Sequence, residues 1–424
     1  MLRQLHFSDV LRDTELLTSS TAQNLAASRL FLLVVVALLN LAGVAHADGA
    51  DTLNLRLSRT LITDNNLFRL PAGIDPSDQF GNSRRSDSIA IDSIGLSLDK
   101  SYSLQQFHAD ASFANYRFGT YRFLNHSTRS GTMRWNWALT PRLTGKISSK
   151  RQQSLNSFVD YTNIGARNLK TATNNSADLD YWISGGWHVT AGGFRDLATN
   201  DIVFLQGGDR DFRGDQFGLR YVAADGDYIA YQNRHGRGKY PNATLVVDTL
   251  SETDFRQVDH ELLWRWSITR RSQLQGRVTQ LDRRNSHFSA RDFHGTAGKC
   301  DYLWSPTGKT RLLVSAARDY GTYQAANISY TVTDSLSVAP SWQVSKKIQV
   351  KFKLDRIVKD YLGNPGLATG SRMDRQRSAQ LGFEWAPTRA LLFGASMQHD
   401  QRRSTSASLD FEDTTAMLAA QFAF

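Results

Sequence analysis

The sequence predicts an all-β fold, a single transmembrane antiparallel up-and-down β-barrel. Three observations predict it. Apolar and polar residues alternate over segments of about 10 residues, the length of a tilted membrane-crossing strand. Short turns recur roughly every 40 residues, the span of two long strands and one loop. The chain opens on an export-type segment and ends on the aromatic Phe424.

Composition agrees. Among 424 residues there are 22 Phe, 14 Tyr and 9 Trp but 8 Pro, which suits strands. The mean hydropathy of −0.40 would fit a soluble protein. A barrel gives the same value, because only every second strand residue faces lipid. The net charge is +10 and there is one cysteine, Cys300. It has no internal disulfide partner and reads as a small strand residue.

The first segment, residues 1–47, reads as an N-terminal extension plus signal peptide. Leu30–Val44 is mostly apolar, follows Arg29, and precedes Ala45-His46-Ala47, a small-x-small cleavage pattern. The mature chain is expected to start at Asp48 and to form one barrel domain over 48–424. Asp9, Asp13 and Glu15 are unusual ahead of such a segment. Initiation downstream of Met1 would explain them, and a real extension is the alternative. The early segment is neutral, so the mature chain keeps the cationic excess.

Eight short turns follow: Asp99–Ser101, Thr140–Arg142, Gly185-Gly186, Ala224–Gly226, Thr269–Arg271, Ser305–Gly308, Ser345–Lys347 and Ala386–Arg389. With an opening and a closing strand they give about 18 strands, or 16 if ambiguous strands are dropped. Met133, Trp135, Trp137 and Leu139 share one face against Arg134 and Asn136. Leu262, Trp264, Trp266 and Ile268 oppose Glu261, Arg265 and Ser267, and Ile348, Val350, Phe352 and Leu354 oppose Gln349, Lys351, Lys353 and Asp355. Soluble sandwiches alternate too, but over strands nearer five or six residues. Pro340 falls inside an expected interior strand, calling for a bulge or a later strand start, and Gly192-Gly193 blurs the phase of another.

All nine tryptophans lie beside a short turn and none in a long polar connection. Indole favours the membrane–water interface, so they read as a lipid-facing periplasmic girdle. The long connections, near 63–87, 156–173, 199–212 and 239–254, read as extracellular loops. Ala416, Leu418, Ala420, Phe422 and Phe424 share a face of the last strand. Phe422 and Phe424 are therefore expected to form the signal read by the outer-membrane barrel assembly machinery.

Enzyme chemistry finds little support. His260-Glu261 begins like a zinc-protease helix, but the partner position holds Trp264. Gly295–Lys299 has the wrong spacing for a phosphate loop. Asp209, Asp211 and Asp215 among glycines could hold calcium, against a solvated acidic loop, and Arg213-Gly214-Asp215 spells an adhesion tripeptide that chance often produces. No catalytic residue, metal or cofactor is expected. Strand phase instead places Arg56, Arg134, Lys146, Arg220, Arg265, Arg277, Arg311, Lys351 and Lys353 on the lumen side, with Glu261, Asp355 and Glu384. A cationic lumen would concentrate anions; mutual pairing of these charges is the alternative.

One short stretch is recognisable. Asp64-Asn65-Asn66-Leu67-Phe68-Arg69, just after the first strand, resembles the start of the EpsL-type outer-membrane proteins of exosortase-associated exopolysaccharide loci, grouped with putative β-barrel porins of surface-polysaccharide biosynthesis. The resemblance implies polysaccharide export across the outer membrane and carries over no catalytic residues. Its implied partners are the polysaccharide and the periplasmic export-complex proteins, beside outer-membrane lipid, with no nucleic acid. From the residues themselves, Leu67 and Phe68 could anchor an inward-folded loop and Arg69 could be a lumen charge. Export is thus the first functional expectation. A general or anion-selective uptake porin is the second, and an outer-membrane enzyme or adhesin the third.

Overall fold

The computed structural model describes residues 53–424 except 160–164, 248–249, 326–327 and 364–371. The expected signal segment and cleavage site lie outside the described residues. Eighteen strands follow the chain. They are β1 Leu53–Asp64, β2 Asp87–Tyr102, β3 Gln105–Phe118, β4 His126–Thr140, β5 Leu143–Leu155 and β6 Leu169–Ser184. Next come β7 Trp187–Asn200, β8 Arg210–Val222, β9 Tyr228–Lys239, β10 Asp254–Thr269, β11 Ser272–Asn285 and β12 Phe293–Trp304. The last six are β13 Thr310–Ala325, β14 Ile328–Ser345, β15 Ile348–Leu362, β16 Arg372–Trp385, β17 Leu391–Ser404 and β18 Phe411–Ala423. Each pairs antiparallel with the next, and β18 pairs with β1, which closes the sheet into a barrel with no free edge.

The short turns are written in the sequence as hydroxyl acceptors and glycines. Thr140 Oγ1 accepts the backbone N–H groups of Arg142 and Leu143, and Thr307 Oγ1 those of Lys309 and Thr310. This side-chain mimicry of a turn is what makes Ser and Thr good turn starters. Gly185 and Gly186 take φ values of 53° and 91°, the left-handed region a two-residue hairpin demands. Seven of the eight expected turns lie where the sequence puts them. The first does not: β2 runs on through Asp99–Ser101 to Tyr102, and the chain reverses at Ser103-Leu104. Asp99 and Lys100 misled because they are polar, but Asp99 pairs with His108 and Lys100 with Phe107 in the β2–β3 ladder.

Pro340 sits in β14 without the expected bulge. It pairs with Leu312 of β13, while toward β15 the ladder skips Ala339 and Pro340 and resumes in the same register at Ser341–Lys351. The strand tolerates the missing N–H by giving up one side of the ladder over two residues. Gly192 and Gly193 keep phase within β7. A Cβ on Gly192 would stand 2.7 Å from Asp178 Oδ1 and 3.1 Å from Gln216 Nε2. The glycine therefore makes room for a hydrogen bond from Gln216 to Asp178, 2.6 Å long.

The outward face is fixed by cross-strand register. Trp135 opposes Ile147, Leu262 opposes Val278, and Leu381 opposes Met397. These residues stay exposed in the isolated chain, as side chains meant for lipid would. Eight of the nine tryptophans fall on this face by register. Trp182 does not: it opposes His188 on the other face, with the Arg142 guanidinium 5.5 Å from its ring.

The long loops opposite the short turns are braced by buried carboxylates. Asp209 accepts N–H groups from Asn200 and from the Asn242 side chain. Glu252 accepts the backbone N–H groups of Thr253, His287 and Phe288 and lies 2.7 Å from His287 Nδ1. Burial alone would raise the Glu252 pKa, but the His287 side chain and these N–H groups outweigh it, so it lies below its ordinary 4.5. The hydrogen bond to Glu252 raises His287 above 6.5. The sign follows. Glu252 contributes fully above 4.5 and loses its contribution as pH falls through its lowered value. His287 contributes fully below 6.5 and loses its contribution as pH rises through its raised value. Hydrogen-exchange protection of the His287 and Phe288 amides should therefore be greatest between pH 4.5 and 6.5. A monotonic change of protection across that window would contradict the pairing.

Candidate functional site: the lumen

A contact across the mouth identifies the inner face. Arg402 of β17 donates from Nη1 to the carbonyl of Val159, in the loop between β5 and β6. These elements are far apart around the ring, so Arg402 reaches its partner over the opening. By register, Arg402 shares its face with Gln376, which opposes Ile357 on the Lys351, Lys353 and Asp355 face of β15.

All nine residues assigned to the lumen by sequence phase share this face by register. Most of them have partners. Arg56 pairs with Asp110 of β3 and Arg220 with Asp180 of β6. Lys146 lies 3.5 Å from Asp178, Lys351 2.6 Å from Glu384 and Lys353 2.8 Å from Asp355. Arg277 is 3.9 Å from Glu261, which Arg234 also approaches at 3.8 Å. Arg265 donates to the Gly226 carbonyl. Only Arg134 and Arg311 of the nine have no described hydrogen-bonding or ionic side-chain partner.

Sequence reasoning missed Lys150. It stands in phase with Lys146 on β5, opposite Asn174, and forms no ion pair with a described carboxylate. The period-2 pattern Lys146-x-Ser148-x-Lys150 was the available signal. Arg134, Lys146, Lys150 and Arg234 line one lumenal cavity of about 660 Å³, with Asp178, Asp196 and a wall of Asn and Ser. A second cavity of about 640 Å³ shares Asn136, Lys146, Asp178 and Gln216 with it and continues past Asp180 and Arg220. Together they trace a polar path down the β4–β9 wall. Phe194 adds an aromatic surface there, with the Arg234 guanidinium 4.1 Å from its ring, within cation–π range.

The Asp64–Arg69 motif builds a clasp at the mouth. Asp64 Oδ1 accepts the Asn66 N–H, and Asp64 Oδ2 lies 2.8 Å from Arg69 Nη1. The Asn66 side chain donates to the carbonyls of Leu70 and Glu412, and Asn65 accepts from Thr414 N–H. Arg69, at φ 56°, reaches Asp413 of β18 at 3.3 Å. That conformation costs a non-glycine residue energy, here offset by the two carboxylates. Leu67 and Phe68 enter a core with Leu70, Phe80, Phe118, Tyr121 and Leu124. Phe68 stacks on Phe80 at 3.6 Å and meets Tyr121 and Phe158 edge-on. The three loops β1–β2, β3–β4 and β5–β6 are thereby fastened to one another and to the wall. The motif acts in loop packing, and Arg69 is a paired brace.

The other sequence candidates separate. Asp209 is a loop brace, Asp211 binds Arg195 and Asp215 stands 3.7 Å from His235, so the three do not converge on one ion. His260 and Glu261 lie on opposite faces of β10, and Gly295–Lys299 is strand. Phe422 and Phe424 are 5.6 Å apart, and Phe424 exchanges both backbone hydrogen bonds with Leu55 at the seam of the barrel.

No family model and no curated protein sequence matches this chain, so the exosortase-associated resemblance gains no support beyond the motif. Solved structures do match. OccK2 (OpdF) of Pseudomonas aeruginosa aligns with a TM-score of 0.50 at 11% identity, over 88% of this chain and 98% of that one. A BenF-like porin from Pseudomonas fluorescens Pf-5 gives 0.49 at 9% identity, over 88% and 98%. The outer membrane protein opdK of Pseudomonas aeruginosa gives 0.48 at 11%, over 88% and 99%. In fold, the closed 18-stranded antiparallel barrel is similar to outer-membrane porins.

Proposed function

We propose that this barrel is an uptake porin for small anionic solutes. The observation that carries the reading is the pair Arg134 and Lys150, two cations without described carboxylate partners in the lumenal cavity. A charge in a water-filled pore with low-dielectric walls acts on a passing ion more strongly than the same charge on an open surface. The fastened loops support small solutes, since they narrow the mouth that a polymer would have to thread. Polysaccharide export, the first expectation from the sequence, rests on a motif whose residues are all occupied in loop packing. Similarity to porins of known structure supports the channel class.

Planar-bilayer recording tests the proposal. A salt gradient should give a reversal potential showing anion preference, and the preference should shrink as salt rises, because the Debye length falls from about 10 Å at 0.1 M to about 3 Å at 1 M. Liposomes carrying the barrel should swell in small carboxylates and exclude dextrans. Cation preference, or ready dextran passage, would overturn it.

A further inference from the structure

The outward face carries a second cationic feature, unrelated to the pore. Arg195, Arg213, Arg237, Arg256 and Arg284 stand directly opposite one another on five consecutive strands, β7 to β11. All five are exposed. Neighbouring strands are about 4.8 Å apart, so the row places a guanidinium on each strand across roughly 20 Å. Like charges directly opposed across a ladder repel. Among the described residues only the ends of the row form ion pairs: Arg195 with Asp211 and Arg284 with Asp282. Arg213, Arg237 and Arg256, in the middle, form no ion pair with a described carboxylate. The nearby acids have other company, Asp215 beside His235 and Asp254 bound to Thr253 and Ser286.

Height identifies the occupant. On β10, Arg256 shares its face with Leu262, Trp264 and Trp266, and lies 10 residues from Trp266. That is about 34 Å along a strand, or about 25 Å along the normal at the usual tilt, which matches the height of the apolar band of an outer-membrane barrel. The row therefore stands at the outer rim of the hydrocarbon. An arginine is costly at the bilayer midplane and near neutral at the interface. Guanidinium groups bind phosphate with paired, charge-assisted hydrogen bonds.

We infer that this row is a docking site for a phosphorylated, polyanionic lipid headgroup of the outer leaflet. A headgroup with two phosphates fits better than one with a single phosphate, because adjacent guanidinium groups can each take one. A lipid source, and not free phosphate, follows from the acyl-facing residues directly beneath the row.

The test uses the purified full-length barrel in uncharged detergent, titrated with a bisphosphorylated diglucosamine glycolipid, its monophosphorylated form and phosphatidylcholine, and read by native mass spectrometry. Affinity should fall in that order. Combined Arg213→Gln, Arg237→Gln and Arg256→Gln should weaken binding of the bisphosphorylated lipid at least tenfold. The matching triple Lys variant should retain an intermediate affinity. Ion selectivity in bilayers should not change, because these side chains point away from the lumen, so failure here is distinguishable from failure of the porin reading. If the triple variant does not give heat-modifiable barrel, Arg237→Gln alone should weaken binding about threefold. Equal binding by wild type and the assembled Gln variant, or equal affinity for all three lipids, would overturn the inference.

Discussion

Phe68→Ala is expected to open the channel without dismantling the barrel. Phe68 is fully buried at 0% exposure, and its ring neighbours Phe80, Tyr121 and Phe158 come from three loops. Truncating a buried phenylalanine to alanine typically costs about 3–5 kcal/mol. Here the loss falls on the loop core, because the strand ladder does not pass through Phe68. Single-channel conductance should rise several-fold, and the loop between β5 and β6 should become sensitive to protease. Heat-modifiable migration should persist, since the wall strands keep their register. Unchanged conductance together with unchanged proteolysis would mean that the loops do not narrow the path.

The second large effect concerns charge. Combined Arg134→Glu and Lys150→Glu should reduce anion preference several-fold or reverse it, measured as the reversal potential in a salt gradient. These two residues have no described carboxylate to neutralise them, so reversal adds the full change of charge to the path. Lys353→Gln should do much less, because Lys353 is already paired with Asp355 at 2.8 Å. The pairing shifts the expected determinants of selectivity from β15 to the β4–β5 wall. If Lys353→Gln outweighs the double reversal, the pairing pattern is the wrong guide to selectivity.

The strand count, the faces and seven of the eight turns were legible, because period-2 alternation and hydroxyl or glycine turn starters are local signals. The first turn was not, since Asp99 and Lys100 are polar residues inside a ladder that extends past the apolar band. Trp182 escaped the girdle rule for a related reason: proximity to a turn sets its height, while phase sets its side. The lumen face was legible as a set of positions, yet its charge state was not. Whether Lys351 meets Glu384 depends on a register between β15 and β16 that no single strand encodes. The role of Asp64–Arg69 was half legible. The inward anchor follows from Leu67 and Phe68, whereas the reach of Arg69 to Asp413 joins residues at opposite ends of the chain. The arginine row likewise exists only once five registers are known together.

The seam between β1 and β18 is built like every other junction, with nine opposed residue pairs from Arg56–Ala423 to Asp64–Thr415. Topologically the wall is a ring, and the place where the ribosome began it leaves little trace in the wall itself. A rearranged gene joining Phe424 to Leu53 through a short linker, with new ends opened at the Ser345–Ile348 turn, would encode the same ring cut elsewhere. Such a chain would keep pore and clasp but no longer finish on an aromatic residue. It would test whether the last strand, beyond its place as a wall plank, also serves as an address.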